Sequence, residues 1–147
     1  MRIMENTYEA LKLENQLCFP LYAASRDVIK LYKTSLDQLD LTYTQYIVMM
    51  VLWDRKQITT KEMGKMLHLD SGTLTPLLKK MEVKGLVSRK RSEFDERNLT
   101  VTITEEGLKL REQAIEIPNQ IAKCNVLDEE ETATLYKLLY KIMESAQ

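Results

Sequence analysis

Residues 70–104 read DSGTLTPLLKKMEVKGLVSRKRSEFDERNLTVTIT, and the first half of this stretch predicts a helix. Asp70 or Ser71 is placed to cap it, because a short side-chain oxygen accepts hydrogen bonds from the free N–H groups of a first turn. Gly85 follows at a position where helices commonly end in a left-handed residue. Four apolar residues recur at helical spacing and form one stripe: Leu74, Leu77, Leu78 and Met81.

The second half of the stretch predicts a β-hairpin. Residues 86–92 and 99–104 are rich in strand-forming side chains, and a charged tip at 93–98 separates them. A helix fits a DNA major groove, and a basic ribbon beside it reaches a minor groove or the flanking phosphates. Ser and Thr also cap ordinary helices, and charged hairpin tips are usually only solvated. The combination of the two elements, rather than any single residue, therefore indicates DNA binding.

Two helix starts precede this stretch. Thr42 and Gln45 form a capping-box pattern before a nearly all-apolar helix, and Thr59 and Glu62 repeat the pattern before a short helix that ends near Leu67. A three-residue link then leads to the helix described above. Two short helices joined by so tight a turn predict a helix-turn-helix.

Apolar helical patterns flank this region on both sides. Pro20 interrupts the pattern over residues 13–39, so the regular helix is expected to start close to it. After the hairpin, Thr104 is placed to cap a helix that Pro118 should kink or split. The last helix starts with a capping box at residues 128–131 and carries a strong apolar stripe: Leu135, Leu138, Leu139, Ile142 and Met143.

We therefore predict a mainly α fold with a small β-hairpin wing, in a single domain of residues 1–147. A winged helix-turn-helix occupies about residues 42–104, and dimerisation helices flank it at about 13–39 and 105–147. The apolar stripes of the flanking helices need a partner, and a second copy of the chain suits them better than their own core. A homodimer also fits DNA recognition, because two recognition helices one helical turn apart read a palindromic operator in double-stranded DNA.

The charge is distributed unevenly along the chain. The net charge of the 147 residues is −1, which is low for a DNA-binding protein. Residues 59–104 nevertheless carry nine Lys and Arg against six Asp and Glu, whereas residues 105–147 carry five against nine. The positive charge is thus concentrated on the predicted DNA-binding part.

Several classes of protein are disfavoured by the sequence. No apolar run is long enough to span a bilayer and no secretory signal begins the chain, so we expect a cytoplasmic protein without a membrane partner. Two cysteines do not make a disulfide scaffold. The single histidine, His68, makes neither a metal site nor a catalytic triad, and no glycine-rich phosphate loop is present. We expect no cofactor, no metal and no catalytic residue.

Three segments carry a resemblance to a known family. The segment DSGTLTPLLKKME, the DERN sequence in the wing and the N-terminal LENQLCFPLYAASR resemble the MarR family of winged-helix repressors along nearly the full chain. Within that family they resemble the OhrR-type organic-hydroperoxide sensors, with thiol-based regulators of staphylococci as near neighbours. The resemblance implies a transcriptional repressor with a redox-sensing cysteine.

The resemblance also implies which residues meet DNA. In the family, the segment matching residues 71–80 contacts the major groove, the arginine matching Arg97 enters the minor groove, and the aspartate matching Asp95 supports the wing. Helix lysines are expected to touch phosphates. The candidate DNA-binding residues are Ser71, Gly72, Thr73, Thr75, Pro76, Lys79, Lys80, Arg89, Lys90, Asp95 and Arg97.

The redox site is implied in the same way. In the OhrR-type branch, the cysteine matching Cys18 reacts with peroxide, and tyrosines matching Tyr32 and Tyr43 hydrogen-bond it across the dimer interface. A thiolate is the nucleophile in such a reaction, and it forms a sulfenic acid. Apolar and aromatic surroundings favour an organic hydroperoxide as the oxidant, and they are expected from Phe19, Leu21, Tyr22 and Trp53.

Both cysteines have a less specific interpretation. From composition, a free cysteine is most often a small buried hydrophobe, and this applies to Cys18 and Cys124 alike. Some OhrR-type proteins use one cysteine and others use two, the second pairing with the reactive thiol of the other subunit. The resemblance therefore favours resolution of oxidised Cys18 by the partner's Cys124. The alternative is a mixed disulfide with a low-molecular-weight thiol, which leaves Cys124 as packing.

Two other functions compete with a redox-sensing repressor. The first is a MarR-type repressor that a non-covalent lipophilic or phenolic ligand releases from DNA. The second is a small thiol peroxidase, which is an enzyme and has no use for a recognition helix and wing. Because those two elements are the strongest signals in the sequence, we predict a regulator and not an enzyme.

Overall fold

The helix predicted over residues 13–39 is interrupted in the computed structural model, which describes residues 8–94 and 99–146. Two short 3-10 turns come first, Tyr8–Leu11 and Leu13–Asn15. Helix α1 then spans Cys18–Leu31 and α2 spans Lys33–Gln38. Pro20 lies in the first turn of α1, where proline is tolerated. The expected start close to Pro20 is therefore confirmed. The helix does not continue unbroken to residue 39, because the hydrogen bonding shifts at Tyr32, whose N–H bonds to Ile29 O at 3.1 Å.

The helix-turn-helix is present and its predicted caps are confirmed. The Thr42 hydroxyl accepts from Gln45 N at 3.3 Å, and the Thr59 hydroxyl accepts from Glu62 N at 3.2 Å. At the third start, Asp70 Oδ1 accepts from Thr73 N at 2.7 Å. These side chains satisfy N–H groups that a first turn leaves free. The helices they start are α3 (Tyr43–Arg55), α4 (Thr60–Leu67) and α5 (Ser71–Val83).

The wing belongs to a three-stranded antiparallel sheet among the described residues. Its strands are β1 (Gln57–Thr59), β2 (Val87–Arg91) and β3 (Leu99–Ile103), in the order β1-β3-β2. Val101 lies opposite Ile58 in β1 and opposite Arg89 in β2. The predicted two-stranded hairpin was therefore incomplete, because β1 fastens the wing to the end of α3.

The core of this part of the molecule lies between the helix-turn-helix and the sheet. Helix α3 was predicted to be buried, and most of its apolar side chains are, although Met50 is exposed. Helices α3, α4 and α5 and strand β3 all contribute fully buried side chains, so the recognition helix α5 is held against the wing. The largest of these side chains are Val48, Met49, Leu52, Met63, Leu78, Met81 and Val101.

Helix α6, Glu105–Ala114, is bonded to the turn between α5 and β2. Thr104 caps α6 by accepting from Gly107 N at 3.1 Å, and its hydroxyl also donates to Gly85 O at 2.6 Å. Gly85 has φ +74°, as expected for a left-handed helix end. A Cβ at Gly107 would lie 2.4 Å from Leu86 O, so only glycine permits this close approach. Although α6 falls within the predicted dimerisation segment 105–147, it contacts the winged part.

Two compact units divide the chain, the first ending at Ile117 and the second beginning at Pro118. Helix α7, Ile117–Ala122, starts at this boundary with Pro118 in its first turn, which confirms the predicted split. Helix α8 spans Glu129–Ser145 and begins with the predicted capping box of Asp128 and Glu131. Among the described residues, no helix is both long and apolar enough to cross a membrane.

Candidate functional site

The recognition helix α5 presents its predicted DNA-binding residues on its exposed side. The opposite side is buried through Leu74, Leu78 and Met81, so the helical period directs the remaining side chains outward. Short hydroxyl side chains occupy the first turns and lysines follow. The exposed residues are Ser71, Gly72, Thr73, Thr75, Pro76, Lys79 and Lys80.

A polar groove lies between α5 and the wing. Helix residues Ser71, Thr75 and Lys79 line one side, and Arg89 and Arg91 of β2 line the other. Lys79 and Arg91, on opposite sides of the groove, supply positive charge that suits a phosphate backbone. Arg91 was missed by the sequence analysis, although strand alternation places it on the same face as Arg89. Lys90, which was predicted, lines a separate depression on the wing.

Arg89 makes a specific ion pair within the protein. Its Nε and Nη2 donate to Glu82 Oε2 on α5 at 3.0 and 2.8 Å, and its backbone N–H donates to Glu82 Oε1 at 3.0 Å. The side-chain and then the backbone hydrogen bonds of Arg89 hold the pKa of Glu82 below its ordinary value. The guanidinium is thus committed to joining the wing to the recognition helix. Asp95 and Arg97, the remaining predicted wing residues, lie outside the described residues.

Cys18 is the first residue of α1 and is exposed in the single chain. The interpretation of this thiol as a small buried side chain is therefore wrong for the isolated chain. Its neighbours Phe19, Leu21 and Tyr22 are also exposed, at 42%, 42% and 58%. The start of α1 thus presents a thiol within an apolar and aromatic surface. Such a surface can accept an organic molecule or a second protein chain.

The two predicted tyrosines belong to a larger aromatic cluster. The rings of Tyr32 and Tyr43 meet edge to face with centroids 5.0 Å apart, and Tyr46 lies 5.9 Å from Tyr32 and 6.4 Å from Tyr43. Trp53 contacts Tyr46 at 6.2 Å and donates its indole N–H to Gly107 O at 2.9 Å. Tyr46 was not predicted as part of this site, although its position three residues after Tyr43 places both rings on one helix face.

Burial changes the ionisation of this cluster. Desolvation is the main cause that raises the pKa of Tyr32, and the nearby Tyr43 adds to it. Desolvation likewise raises the pKa of Tyr46, with smaller contributions from Tyr32 and Tyr43. Both phenols therefore stay protonated at neutral pH and can donate hydrogen bonds.

Cys124 follows α7 and is also exposed. Its thiol donates to Gln120 O at 3.7 Å, a weak hydrogen bond to the preceding turn. The buried setting considered for Cys124 is not found in the chain. Both thiols are therefore accessible to an oxidant or to another thiol in the isolated chain. No group of three or more potential metal ligands occurs in the part of the chain that the structure describes.

The known sequences that this chain is similar to are transcriptional regulators. A sequence model of the transcriptional regulators SarA/Rot matches residues 30–114. The chain is 49% identical over 142 residues to the organic hydroperoxide resistance transcriptional regulator of Bacillus subtilis (strain 168), and the match covers 97% of each chain. It is 42% identical over 133 residues to the HTH-type transcriptional regulator SarZ of Staphylococcus haemolyticus (strain JCSC1435), over 90% of each chain.

Solved structures agree with these relatives. Reduced AbfR bound to DNA is 36% identical with a TM-score of 0.76, and the match covers 95% of this chain and 96% of that one. AbfR with a disulfide formed matches with a TM-score of 0.61 at 35% identity, over 94% of each chain. AbfR is a protein of Staphylococcus epidermidis. The fold, the 49% identity over nearly the whole chain and the match to residues 30–114 establish that this chain belongs to the MarR family of winged-helix transcriptional regulators.

Proposed function

We propose that this protein is a homodimeric, DNA-binding transcriptional repressor that senses organic hydroperoxides by oxidation of Cys18 and then releases its operator. The observation that carries the proposal is the exposed thiol at the start of α1, set in an apolar surface of a chain that also has a recognition helix and wing. The hydroperoxide-resistance regulator of B. subtilis, 49% identical, supports the choice of oxidant. We also propose a cytoplasmic location, because a transcriptional repressor has to reach the DNA that it binds.

DNA binding is supported by the groove between α5 and the wing. The exposed face of α5 enters the major groove of the DNA. Ser71 and Thr75 then lie near the DNA backbone, and Lys79 contacts a phosphate. Arg91 reaches a phosphate from the wing side of the same groove. Arg89 positions the wing through Glu82 and does not itself read bases. Arg97 and Asp95 take the wing-tip roles that the family resemblance implies.

Dimer formation is supported by apolar side chains that stay exposed in the single chain. Helix α1 exposes Val28 and Leu31 at 50% and 45%, and α8 exposes Leu135 and Leu138 at 45% and 51%. Exposed apolar surface of this kind is typical of an interface between subunits. A two-fold dimer presents two α5 helices to a palindromic operator. It also gives Tyr32 and Tyr43 a partner thiol to contact.

The sensing step is a two-electron oxidation of the thiol. The Cys18 thiolate attacks the distal oxygen of the hydroperoxide, so that an S–O bond forms and the O–O bond breaks. The leaving alkoxide takes up a proton and departs as an alcohol, and Cys18 becomes a sulfenic acid. The phenol hydroxyls of Tyr32 and Tyr43 donate hydrogen bonds to the thiolate, and the larger sulfenic acid disturbs those contacts. One oxidation changes the state of the regulator, and no turnover is needed.

We further propose that the sulfenic acid condenses with the thiol of the partner's Cys124. The new S–S bond forms as one water molecule leaves, and no other reactant is required. The exposure of both thiols supports this step, as does the disulfide-formed state of AbfR. Such a bond requires Cα atoms within about 7 Å, so helices move if the thiols start farther apart. Condensation with a low-molecular-weight thiol is the alternative outcome.

The proposal is tested on the DNA upstream of the protein's own gene. Fluorescence anisotropy of a labelled duplex should show tight binding by the reduced protein and loss of binding after cumene hydroperoxide, with recovery in dithiothreitol. A scrambled duplex of the same length is the control for sequence specificity. Equal affinity for both duplexes would contradict an operator-specific repressor, and operator binding that hydroperoxide leaves unchanged would contradict the sensing role.

A further inference from the structure

Residues 84–86 join the recognition helix to the wing, and we call them the helix–wing joint. Gly85 takes the left-handed conformation that ends α5, with φ +74°. Lys84 precedes it, and Leu86 leads into β2. A displacement of the joint therefore moves both DNA-contacting elements of the winged unit. The joint is bonded to two regions that also hold the tyrosine cluster.

The first connection is made by the ammonium group of Lys84. Its Nζ donates to Asp40 O and lies 3.1 Å from Asp40 Oδ2. It also donates to Gln45 Oε1 at 3.4 Å. Gln45 is 3% exposed, and the same Oε1 accepts from Thr42 N at 3.1 Å in the capping box of α3. Lys84 thus binds both the turn before α3 and the first turn of that helix.

This first turn of α3 also carries Tyr43. Tyr43 stands between the two residues of the capping box, Thr42 and Gln45, and its ring meets Tyr32 at 5.0 Å. The cap fixes the backbone on both sides of Tyr43. A shift of the Tyr43 ring therefore moves the oxygen of Gln45 that Lys84 binds.

The second connection runs through Trp53. Its ring contacts Tyr46 at 6.2 Å, and its indole N–H donates to Gly107 O at 2.9 Å. Gly107 is packed against Leu86 O, where a Cβ would come within 2.4 Å. Thr104 N also donates to Leu86 O, at 3.1 Å. The aromatic cluster is thus connected to the helix–wing joint by two separate routes, one through Gln45 and one through Gly107.

We propose that Lys84 is a positioning residue that transmits displacement of the Tyr32–Tyr43 contact to the recognition helix, so that oxidation of the thiol changes operator affinity through it. The inference rests on the proposed function, because it needs a DNA-bound state that oxidation weakens. Lys84 is suited to this role since its side chain is only 30% exposed and faces α3. It does not line the groove between α5 and the wing. Substitution of Lys84 therefore separates signal transmission from DNA contact.

The test compares operator affinities before and after oxidation in four proteins. These are the wild type, Lys84→Met, Lys84→Arg and Lys33→Met, each with cumene hydroperoxide and its own upstream DNA duplex. Lys33 is the matched control, because it forms an exposed ion pair with Asp37 on α2 at 2.8 Å. Loss of the iodoacetamide-reactive Cys18 thiol, measured by mass spectrometry, verifies equal oxidation in all four, because it counts sulfenic acid and disulfide alike. Lys84→Gln replaces Lys84→Met if the methionine variant does not fold.

We expect the wild type, Lys33→Met and Lys84→Arg to lose at least about tenfold in affinity on oxidation, within the usual range of coupling between sites. Lys84→Met should lose less than about threefold while its Cys18 is fully oxidised. An unchanged ratio of oxidised to reduced affinity in Lys84→Met would overturn the inference, even if both affinities fell. A wild type that keeps its affinity on oxidation would instead refute the proposed function and, with it, this inference.

Discussion

Glu82 on the recognition helix accepts three hydrogen bonds from Arg89 on the first strand of the wing, two from the guanidinium at 3.0 and 2.8 Å and one from the backbone N–H at 3.0 Å. The planar guanidinium and the backbone N–H together fix the angle at which β2 leaves α5. Lysine, as a point charge on a flexible stem, does not reproduce this geometry. The pair therefore joins the two elements whose residues Lys79 and Arg91 line the groove from opposite sides.

Glu82→Gln should weaken operator binding without abolishing the fold, because the wing loses its fixed angle to α5. It should also change the pH dependence of stability. Hydrogen bonds from Arg89 lower the folded-state pKa of Glu82 below its ordinary 4.5. Their stabilisation is therefore complete above the unfolded-state pKa and is lost as the pH falls through the folded-state pKa.

Urea unfolding of wild type and Glu82→Gln between about pH 3 and pH 7 measures this effect. The difference in the free energy of unfolding should be constant near neutral pH and shrink below pH 4.5. Glu106→Gln is the matched control, since its ion pair with Lys109 is fully on the surface. A difference that grows on acidification would have the wrong sign for this pair.

Local signals in the sequence predicted the helix starts well. Thr42, Thr59 and Asp70 cap because the hydrogen bonds involved span only three residues. Strand β1 was missed since its three residues become a strand only by pairing with β3, more than forty positions away. The break at Tyr32 has no proline or glycine to signal it. Features that depend on long-range pairing, or that no local residue signals, can be identified only from the folded structure.

The candidate functional site likewise combines residues that the sequence predicted with contacts that it could not predict. Tyr32 and Tyr43 were predicted from the family resemblance, and the structure places their rings in contact. The role of Arg89 could not be predicted from the sequence. A basic residue on a strand can equally contact DNA or form an ion pair within the protein. Only the bond to Glu82, seven residues earlier, distinguishes the two. The connection from Lys84 to Asp40 spans 44 positions and is equally invisible to local patterns.

Lys79→Ala should lower affinity for operator and unrelated DNA alike, because a phosphate contact carries no sequence information. The slope of log affinity against log salt concentration should flatten by about 0.9, the contribution of one neutralised phosphate. Lys109→Ala on α6 is the control for the loss of one positive charge. Titrations at several salt concentrations measure the slope. A Lys79 variant with the slope of the control would remove this lysine from the interface.

Replacing Leu135 and Leu138 on α8 by aspartate should convert the dimer to monomers. Both side chains are about half exposed in the single chain, and burying each in a dimer contributes about 1.5–3 kcal/mol. Lys137→Asp, on the neighbouring exposed position, should leave the dimer intact. Sedimentation velocity distinguishes the two species. A double variant that still sediments as a dimer would place the interface elsewhere.

Cys124→Ser should abolish covalent dimers without preventing oxidation of Cys18. After cumene hydroperoxide, wild-type protein should run as a dimer on a non-reducing gel, and Cys124→Ser should run as a monomer with a dimedone-reactive Cys18. Dithiothreitol should return the wild type to a monomer on the gel. If the wild type stays monomeric and carries a mixed disulfide with an added small thiol, Cys124 does not resolve the sulfenic acid.

The most direct measurement is operator affinity of Cys18→Ser with and without cumene hydroperoxide, beside the wild type under the same conditions. Serine keeps the size and the hydrogen-bonding capacity of the side chain but forms no sulfenic acid. We predict that both reduced proteins bind the upstream duplex with similar affinity, and that hydroperoxide releases the wild type but leaves Cys18→Ser bound. Release of Cys18→Ser to the same extent as the wild type would contradict sensing through this thiol.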